Sequence, residues 1–264
     1  MIKQWSWNRE LEFFALLVML DLFVLGLHLL LGDHPQLGSL VHLDKEGNLP
    51  TWYSSLKFTL AAVAALACYF LERAARIDSV PDSSLPPIRP RLSPIPWLLV
   101  ALLMLGLSAD ETAQIHETTV HWFMESPAGD NLRQAFEVVR AGGVLLWGVL
   151  LSPLLVVIGG WLLRFYWQRF RGHLWLFGGG FLAVGLLGLA LALETREAGL
   201  VGVGGHLTAA SLRNYQWLTG VEEMAELLAA SLITGVHVAY AWTLWSGRSG
   251  IRGDEGLINE SRNR

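Results

Sequence analysis

The chain has 264 residues and a formal net charge of −4; 53% of the residues are hydrophobic and only 16% are charged. The charged residues occur in short blocks between long apolar runs, which is typical of integral membrane proteins and excludes an ordinary soluble domain. The single cysteine, Cys68, excludes an intramolecular disulfide and a thiolate metal cluster. We expect no nucleic-acid partner.

Six apolar segments are long enough to cross a membrane as helices. A bilayer core about 30 Å thick requires roughly 20 apolar helical residues. The segments that meet this length are 11–31, 52–72, 96–122, 141–164, 173–194 and 215–245. We therefore predict an all-α polytopic membrane protein with six transmembrane helices in a single membrane domain, residues 1–264. A proline-rich linker, residues 76–96, and a short disordered C-terminal tail, residues 247–264, complete the predicted organisation.

Basic residues predict how the helices are oriented. Thirteen Lys and Arg residues fall at the connections of one side, and five fall at those of the other. The positive-inside rule makes the first side cytoplasmic, so the N and C termini are both predicted to be cytoplasmic. No segment is long enough for a soluble domain. Lipid should therefore surround the bundle, and protein partners would be met through helix faces or short loops.

The third segment contains the stretch LSADETAQIHETTVHWF, residues 107–123. It is close to the zinc-binding helix pattern H-E-x-x-H, which places two histidines on one helical face. Here His116 and His121 are five residues apart, so on a regular helix they point about 140° away from each other. The zinc-protease interpretation is therefore excluded.

A regular helix through this segment would instead carry a stripe of acidic residues along one face. Four residues spaced by 4, 3 and 4 positions lie within about 60° of one another. They are Asp110, Gln114, Glu117 and His121. Glu111 and His116 flank the stripe, and a local π-bulge would bring either one into it.

The sixth segment carries a second acidic face. Glu222 and Glu226 are four residues apart near its beginning, with Glu223 on the flank. His28 and Glu194 lie toward the ends of outward-running segments, so these groups should all reach the outer half of the membrane. Ionisable side chains inside a span are costly in lipid and by default indicate a functional site. We predict one shared pocket that faces the periplasm or the exterior.

Carboxylates crowded in a low-dielectric pocket must bind a cation, hold protons or pair with arginine. A set of carboxylates with one or two histidines suits Zn, Fe or Mn, or Ca if histidine does not ligate. The predicted metal ligands are Asp110, His116, Glu117, His121, Glu222 and Glu226. Glu111 and Glu223 are the candidate catalytic acid and base.

Two stretches resemble a pattern found in uncharacterised multipass bacterial membrane proteins. They are LSADETAQIHE, residues 107–117, and VEEMAELL, residues 221–228. In that pattern an Asp-Glu…His-Glu helix is followed by a later helix that opens with paired glutamates. The resemblance implies a multipass protein of the bacterial cytoplasmic (inner) membrane, and it marks the same acidic residues and His116 as the positions to examine.

Three function classes remain open. The first is a membrane protein that binds a divalent metal, with metal-dependent catalysis on a lipid or other external substrate as its extension. The second is a non-catalytic subunit or assembly factor of a larger membrane complex. The third is a proton-coupled or cation transporter, which is less favoured because the cytoplasmic half offers only Asp21 and His237 as ionisable groups.

Overall fold

The computed structural model describes residues 2–43, 45, 47–77, 92–135, 143–202 and 209–262. All regular secondary structure in these residues is helical. The helices are α1 (Ile2–Leu31), α2 (Gly38–Val41), α3 (Leu49–Ile77), α4 (Pro96–Ala113), α5 (Ile115–Met124), α6 (Pro127–Ala135), α7 (Gly143–Phe170), α8 (Leu174–Gly202) and α9 (Ala209–Arg262).

Five helices in the described part of the chain are long and apolar enough to cross a membrane. These spans are Glu10–Leu31, Leu49–Arg76, Pro96–Ala113, Leu174–Glu194 and Trp217–Ser246. The predicted class, an all-helical protein with membrane-spanning helices, is confirmed. The remaining predicted span coincides with α7, a helix of 28 residues, and a total of six spans stays a prediction. The last helix continues to Arg262, through most of the segment for which we predicted a disordered tail.

Helix α3 lies at the centre of the bundle, where it packs against both α4 and α9. Helices α3 and α4 are antiparallel, because Ser55 meets Ser108 at one end of the pair while Glu72 meets Trp97 at the other. Helix α9 also packs against α8 and α1. The connection that we predicted as a proline-rich linker lies mostly outside the described residues.

Two serines allow α3 and α4 to approach closely. The hydroxyl of Ser55 donates to the carbonyl of Ser108 at 3.0 Å, and the hydroxyl of Ser108 donates to the carbonyl of Ser55 at the same distance. The Thr59 hydroxyl lies 2.8 Å from that of Ser108. Small hydroxyl residues are favoured at such crossings because lipid supplies no competing hydrogen bonds.

The third predicted segment, residues 96–122, is not one continuous helix. Gln114 adopts the left-handed conformation with φ 50° and ψ 42°, and it is the only non-glycine residue with positive φ among the described residues. Helix α4 therefore ends at Ala113, and α5 restarts at Ile115 and packs against α7. The predicted stripe of Asp110, Gln114, Glu117 and His121 was wrong as a single helical face, because one left-handed residue redirects everything after it.

Glycines in α8 allow close packing at one crossing. A Cβ atom added to Gly180 would lie 2.6 Å from Cδ2 of Tyr166, and one added to Gly179 would lie 2.8 Å from a methyl of Val236. Tyr166 is fully buried, so its ring has little room to move. At Gly185, in the same helix, an added Cβ meets nothing within 4 Å.

Gly180→Ala should therefore destabilise the bundle by about 1–3 kcal/mol, because the added methyl displaces the Tyr166 ring. The measurement is the free energy of unfolding in mixed detergent micelles. Gly185→Ala is the matched control and should differ from the parent protein by less than about 0.5 kcal/mol. Equal stability of the two variants would contradict the packing described for Gly180.

Candidate functional site

A buried ion pair joins three helices in the middle of the bundle. Lys57 of α3 is 2% exposed and Asp21 of α1 is fully buried, and the Lys57 ammonium lies 2.8 Å from Oδ1 of Asp21. The ammonium also donates to the Leu227 carbonyl at 2.7 Å and to the Ser231 hydroxyl at 3.2 Å, both in α9. Ser231 in turn donates to Oδ2 of Asp21 at 2.7 Å. All three ammonium protons and both carboxylate oxygens thus have partners.

An aromatic ring completes the surroundings of this pair. The Lys57 ammonium lies 4.2 Å from the centroid of the Tyr53 ring, which is a cation–π distance. The Tyr53 hydroxyl donates to the Leu17 carbonyl of α1 at 3.2 Å. Thr234 of α9 donates to the Lys57 carbonyl at 2.9 Å. Removing either charge would leave the other buried and unpaired, which typically costs about 3–5 kcal/mol.

A polar cleft opens next to the ion pair at one end of the bundle. The cleft is partly open to solvent, and its lining residues are Leu43, Pro50, Thr51, Ser54, Asp110, Glu111, Glu223, Glu226 and Leu227. The Glu111 carboxylate interacts favourably with the Lys57 ammonium, and Leu227 both lines the cleft and accepts a hydrogen bond from Lys57. The cleft and the ion pair are therefore parts of one polar region. We refer to this end of the bundle as the cleft end.

The structure brings four of the eight predicted site residues into this cleft. They are Asp110, Glu111, Glu223 and Glu226. Glu222 is half-buried on the same helix but does not line the cleft. His116, Glu117 and His121 belong to α5 by their backbone, while their side chains lie outside the described residues. Among the side chains that are described, no three His, Cys, Asp or Glu residues come together in an arrangement that could hold a metal ion.

Sequence reasoning missed Lys57 and did not predict a partner for Asp21. Asp21 was named only as an ionisable group of the cytoplasmic half; in the structure it accepts hydrogen bonds from Lys57 and Ser231. The signal was available, because Lys57 is the one basic residue inside the apolar segment 52–72 and Asp21 is the one acidic residue deep in the segment 11–31. Opposite charges in two spans are expected to pair with each other.

Farther from the cleft, a histidine lies in the aromatic core. His237 of α9 is fully buried, and its Nε2 lies 3.1 Å from the hydroxyl of Tyr166 in α7. The Trp97 ring meets the imidazole edge-on, with 5.6 Å between centroids. The carbonyl of His237 accepts a 3.8 Å contact from the Cys68 thiol, so the cysteine is a packing residue here.

The opposite end of the bundle is closed by a second charged cluster. Glu72 of α3 accepts hydrogen bonds from the Trp97 indole at 3.0 Å and from the Tyr240 hydroxyl at 3.2 Å. Its other oxygen lies 2.8 Å from the guanidinium of Arg169 in α7. Arg169 also binds the carbonyl of Ser93, just before α4. We call this the Glu72 cluster; it ties together four helices, α3, α4, α7 and α9.

Polar groups of α9 connect the two ends. Between Glu223 and Tyr240, the titratable and hydroxyl side chains of α9 fall within half of the helical circumference. They are Glu223, Glu226, Ser231, Thr234, His237 and Tyr240. From Glu223 to Tyr240 the helix rises about 26 Å at 1.5 Å per residue, close to the 30 Å of a bilayer core. The polar face thus extends across most of a membrane's thickness, while many apolar side chains of α1 are exposed on the outside of the bundle.

This arrangement defines a helical membrane protein with ionisable groups along the interior of its bundle. Residues 11–240 match a family described as a domain of unknown function (DUF8692), and the chain belongs to that family. No curated protein and no solved structure matches the chain at a significant level.

The ion pair leads to a double-variant prediction. Lys57→Met and Asp21→Leu should each lower the free energy of unfolding by about 3–5 kcal/mol, because each leaves one buried charge without its partner. The double variant should recover at least about half of the summed loss, since a pair of apolar residues can replace a buried ion pair.

Unfolding in mixed micelles measures all three variants. Lys45→Met, at an exposed lysine, is the matched control and should change stability little. Strictly additive losses in the double variant would contradict the pairing of Lys57 with Asp21.

Proposed function

We propose that this protein moves protons across its membrane, which is the proton form of the cation transport that the sequence left open. The observation that carries the proposal is the position of the Lys57–Asp21 pair, 2.8 Å apart, between the carboxylate cleft and the Glu72 cluster. Chains of Asp, Glu and His inside a helical bundle are typical of proton relays in pumps and transporters. Our sequence-based objection to transport was that only Asp21 and His237 were available beyond the cleft, and Lys57 and Glu72 now add to them.

The ion pair supplies a group whose protonation changes the helix contacts. When Asp21 takes up a proton, its charge attraction to the Lys57 ammonium is lost, and the ammonium keeps its hydrogen bonds to Leu227 and Ser231 and its contact with the Tyr53 ring. The Glu111 carboxylate, which already attracts Lys57, is then the competing anion. A proton that arrives from the cleft can in this way shift the ammonium between two carboxylates. Because Asp21 lies on α1 and Lys57 on α3, the shift alters contacts between these helices.

The finer topology belongs to the same proposal. We infer six spanning helices, with α7 as the fourth, in a bacterial cytoplasmic membrane with both termini inside. The excess of basic residues on one side supports this orientation. The cleft then faces the periplasm or the exterior, and the Glu72 cluster faces the cytoplasm. Protons would therefore enter at Asp110, Glu111, Glu223 and Glu226.

Proton flux into proteoliposomes tests the proposal directly. With a valinomycin-clamped potassium gradient and an enclosed pH-sensitive dye, the parent protein should acidify the lumen faster than protein-free vesicles. The double variant, Asp21→Leu with Lys57→Met, should show a rate at least about tenfold lower than the parent protein, because proton-transfer groups commonly contribute factors of this size or more. Glu226→Gln should also slow the flux, because it removes one cleft carboxylate.

Glu12→Gln is the matched control, since Glu12 is an exposed carboxylate on the same helix as Asp21. It should keep the parent rate. A parent protein without flux, or a double variant that retains it, would overturn the proposal. The Lys57–Asp21 pair would then be a tether between helices, which suits the predicted subunit or assembly factor.

Divalent-metal binding is the second candidate, because four carboxylate residues line one cleft, although no three of the described ones converge as metal ligands. The ligand set predicted from sequence, with His116, Glu117 and His121, stays a prediction. If the carboxylates handle protons, protein extracted without chelators should hold less than about 0.1 equivalent of Zn, Fe or Mn by plasma mass spectrometry, because no resident metal is needed. About one equivalent, lost in Asp110→Asn with Glu226→Gln, would instead support the metal protein and, with an identified substrate, a metal-dependent enzyme.

A further inference from the structure

His237 is buried in surroundings that leave one of its ring nitrogens without a hydrogen bond. The side chain is fully buried, and Nδ1 has no hydrogen-bond partner among the described residues. The Ala61 backbone lies beside the ring, but Nδ1 makes no contact that meets the distance and angle of an ordinary hydrogen bond. A buried polar atom without a partner typically costs about 1–3 kcal/mol, so its presence in a packed core calls for a functional reason.

The other ring nitrogen is well placed for proton exchange. Nε2 lies 3.1 Å from the Tyr166 hydroxyl. If Tyr166 donates, the ring proton sits on the unpartnered Nδ1; if Nε2–H donates, the lone pair of Nδ1 is unpartnered. In both tautomers, one nitrogen is engaged and the other is free to accept or release a proton.

The position of His237 along α9 places it between the two charged regions. It follows Ser231, which binds the ion pair, by six residues, a rise of about 9 Å. It precedes Tyr240, which donates to Glu72, by three residues, a rise of about 4.5 Å. The rings of Trp97 and Tyr166 pack against it, and it is the one fully buried imidazole among the described residues.

We infer that His237 is the intermediate proton carrier between the Lys57–Asp21 pair and Glu72; this inference rests on the proposed proton translocation. An N–H bond forms at one ring nitrogen while the proton leaves from the other, so the imidazole returns to neutrality and nothing is oxidised or reduced. The proton comes from Asp21 and ends on the Glu72 carboxylate. Both steps exceed hydrogen-bond length and require bridging water.

The titratable and aromatic groups that lie along the path between His237 and Glu72 come from four helices. They are Cys68 and Glu72 of α3, Trp97 of α4, Tyr166 and Arg169 of α7, and Tyr240 of α9.

Proton flux in the same proteoliposomes tests the role of His237. His237→Ala and Tyr166→Phe should each reduce the flux about tenfold or more, while Tyr166→Phe keeps the ring that packs against Gly180. Added imidazole should restore flux to His237→Ala, because a free imidazole can occupy the vacated space and carry the proton. A purely structural histidine would lower stability without giving this rescue.

Cys68→Ala is the matched control, since Cys68 contacts only the backbone carbonyl of His237 in the hydrogen-bond pattern, and it should keep the parent flux. If His237→Ala fails to fold, Tyr166→Phe carries the test alone. Flux that persists in Tyr166→Phe and in any folded His237→Ala, while Asp21→Leu with Lys57→Met abolishes it, would overturn this inference and leave the proposed function standing. A parent protein that gives no proton flux would overturn both the role of His237 and the proposed function.

Discussion

The architecture depends on one constraint, which is that a lysine in the centre of a membrane-embedded bundle must keep a counter-charge. Desolvation makes an isolated ammonium far too costly in such surroundings. The Lys57 ammonium meets the constraint by donating hydrogen bonds to Asp21 of α1 and to Leu227 and Ser231 of α9. The relative positions of α1, α3 and α9 follow from it, and the cleft carboxylates are held next to the pair because Leu227 belongs to both.

The rest of the bundle separates polar and apolar surfaces accordingly. Large apolar side chains such as Met19, Phe23 and Leu30 of α1 are well exposed in the isolated chain, as expected where lipid tails take the place of water. Hydroxyl and titratable groups instead face inward along α9. Serine pairs between α3 and α4 provide hydrogen bonds where the hydrophobic effect gives no driving force for helix association. The exposed apolar side chains and the buried polar side chains are therefore both expected in a protein whose helices are surrounded by lipid.

Sequence patterns were sufficient for the helices because their main signal, apolar length, depends on one segment at a time. The lining of the cleft could be predicted in part, since the predicted topology alone put Asp110, Glu111, Glu223 and Glu226 in one pocket. The break at Gln114 was not, because a left-handed glutamine leaves no mark such as glycine or proline in the sequence. The Lys57–Asp21 pair was missed for another reason: basic residues were counted at helix ends to orient the chain, and one inside a span fell outside that count.

The closed end of the bundle argues for protons over larger cargo. At the cleft end, a space partly open to solvent lies beside the carboxylates. At the other end, Glu72 binds Arg169, Trp97 and Tyr240, and the rings of Phe165, Tyr166 and Phe170 pack around them. Among the described residues, a solute that left at this end would have to separate the Glu72–Arg169 pair, and breaking a buried pair costs about 3–5 kcal/mol. A proton needs no such opening, because it passes by exchange between titratable groups and bridging water and requires only local movements of side chains such as Lys57.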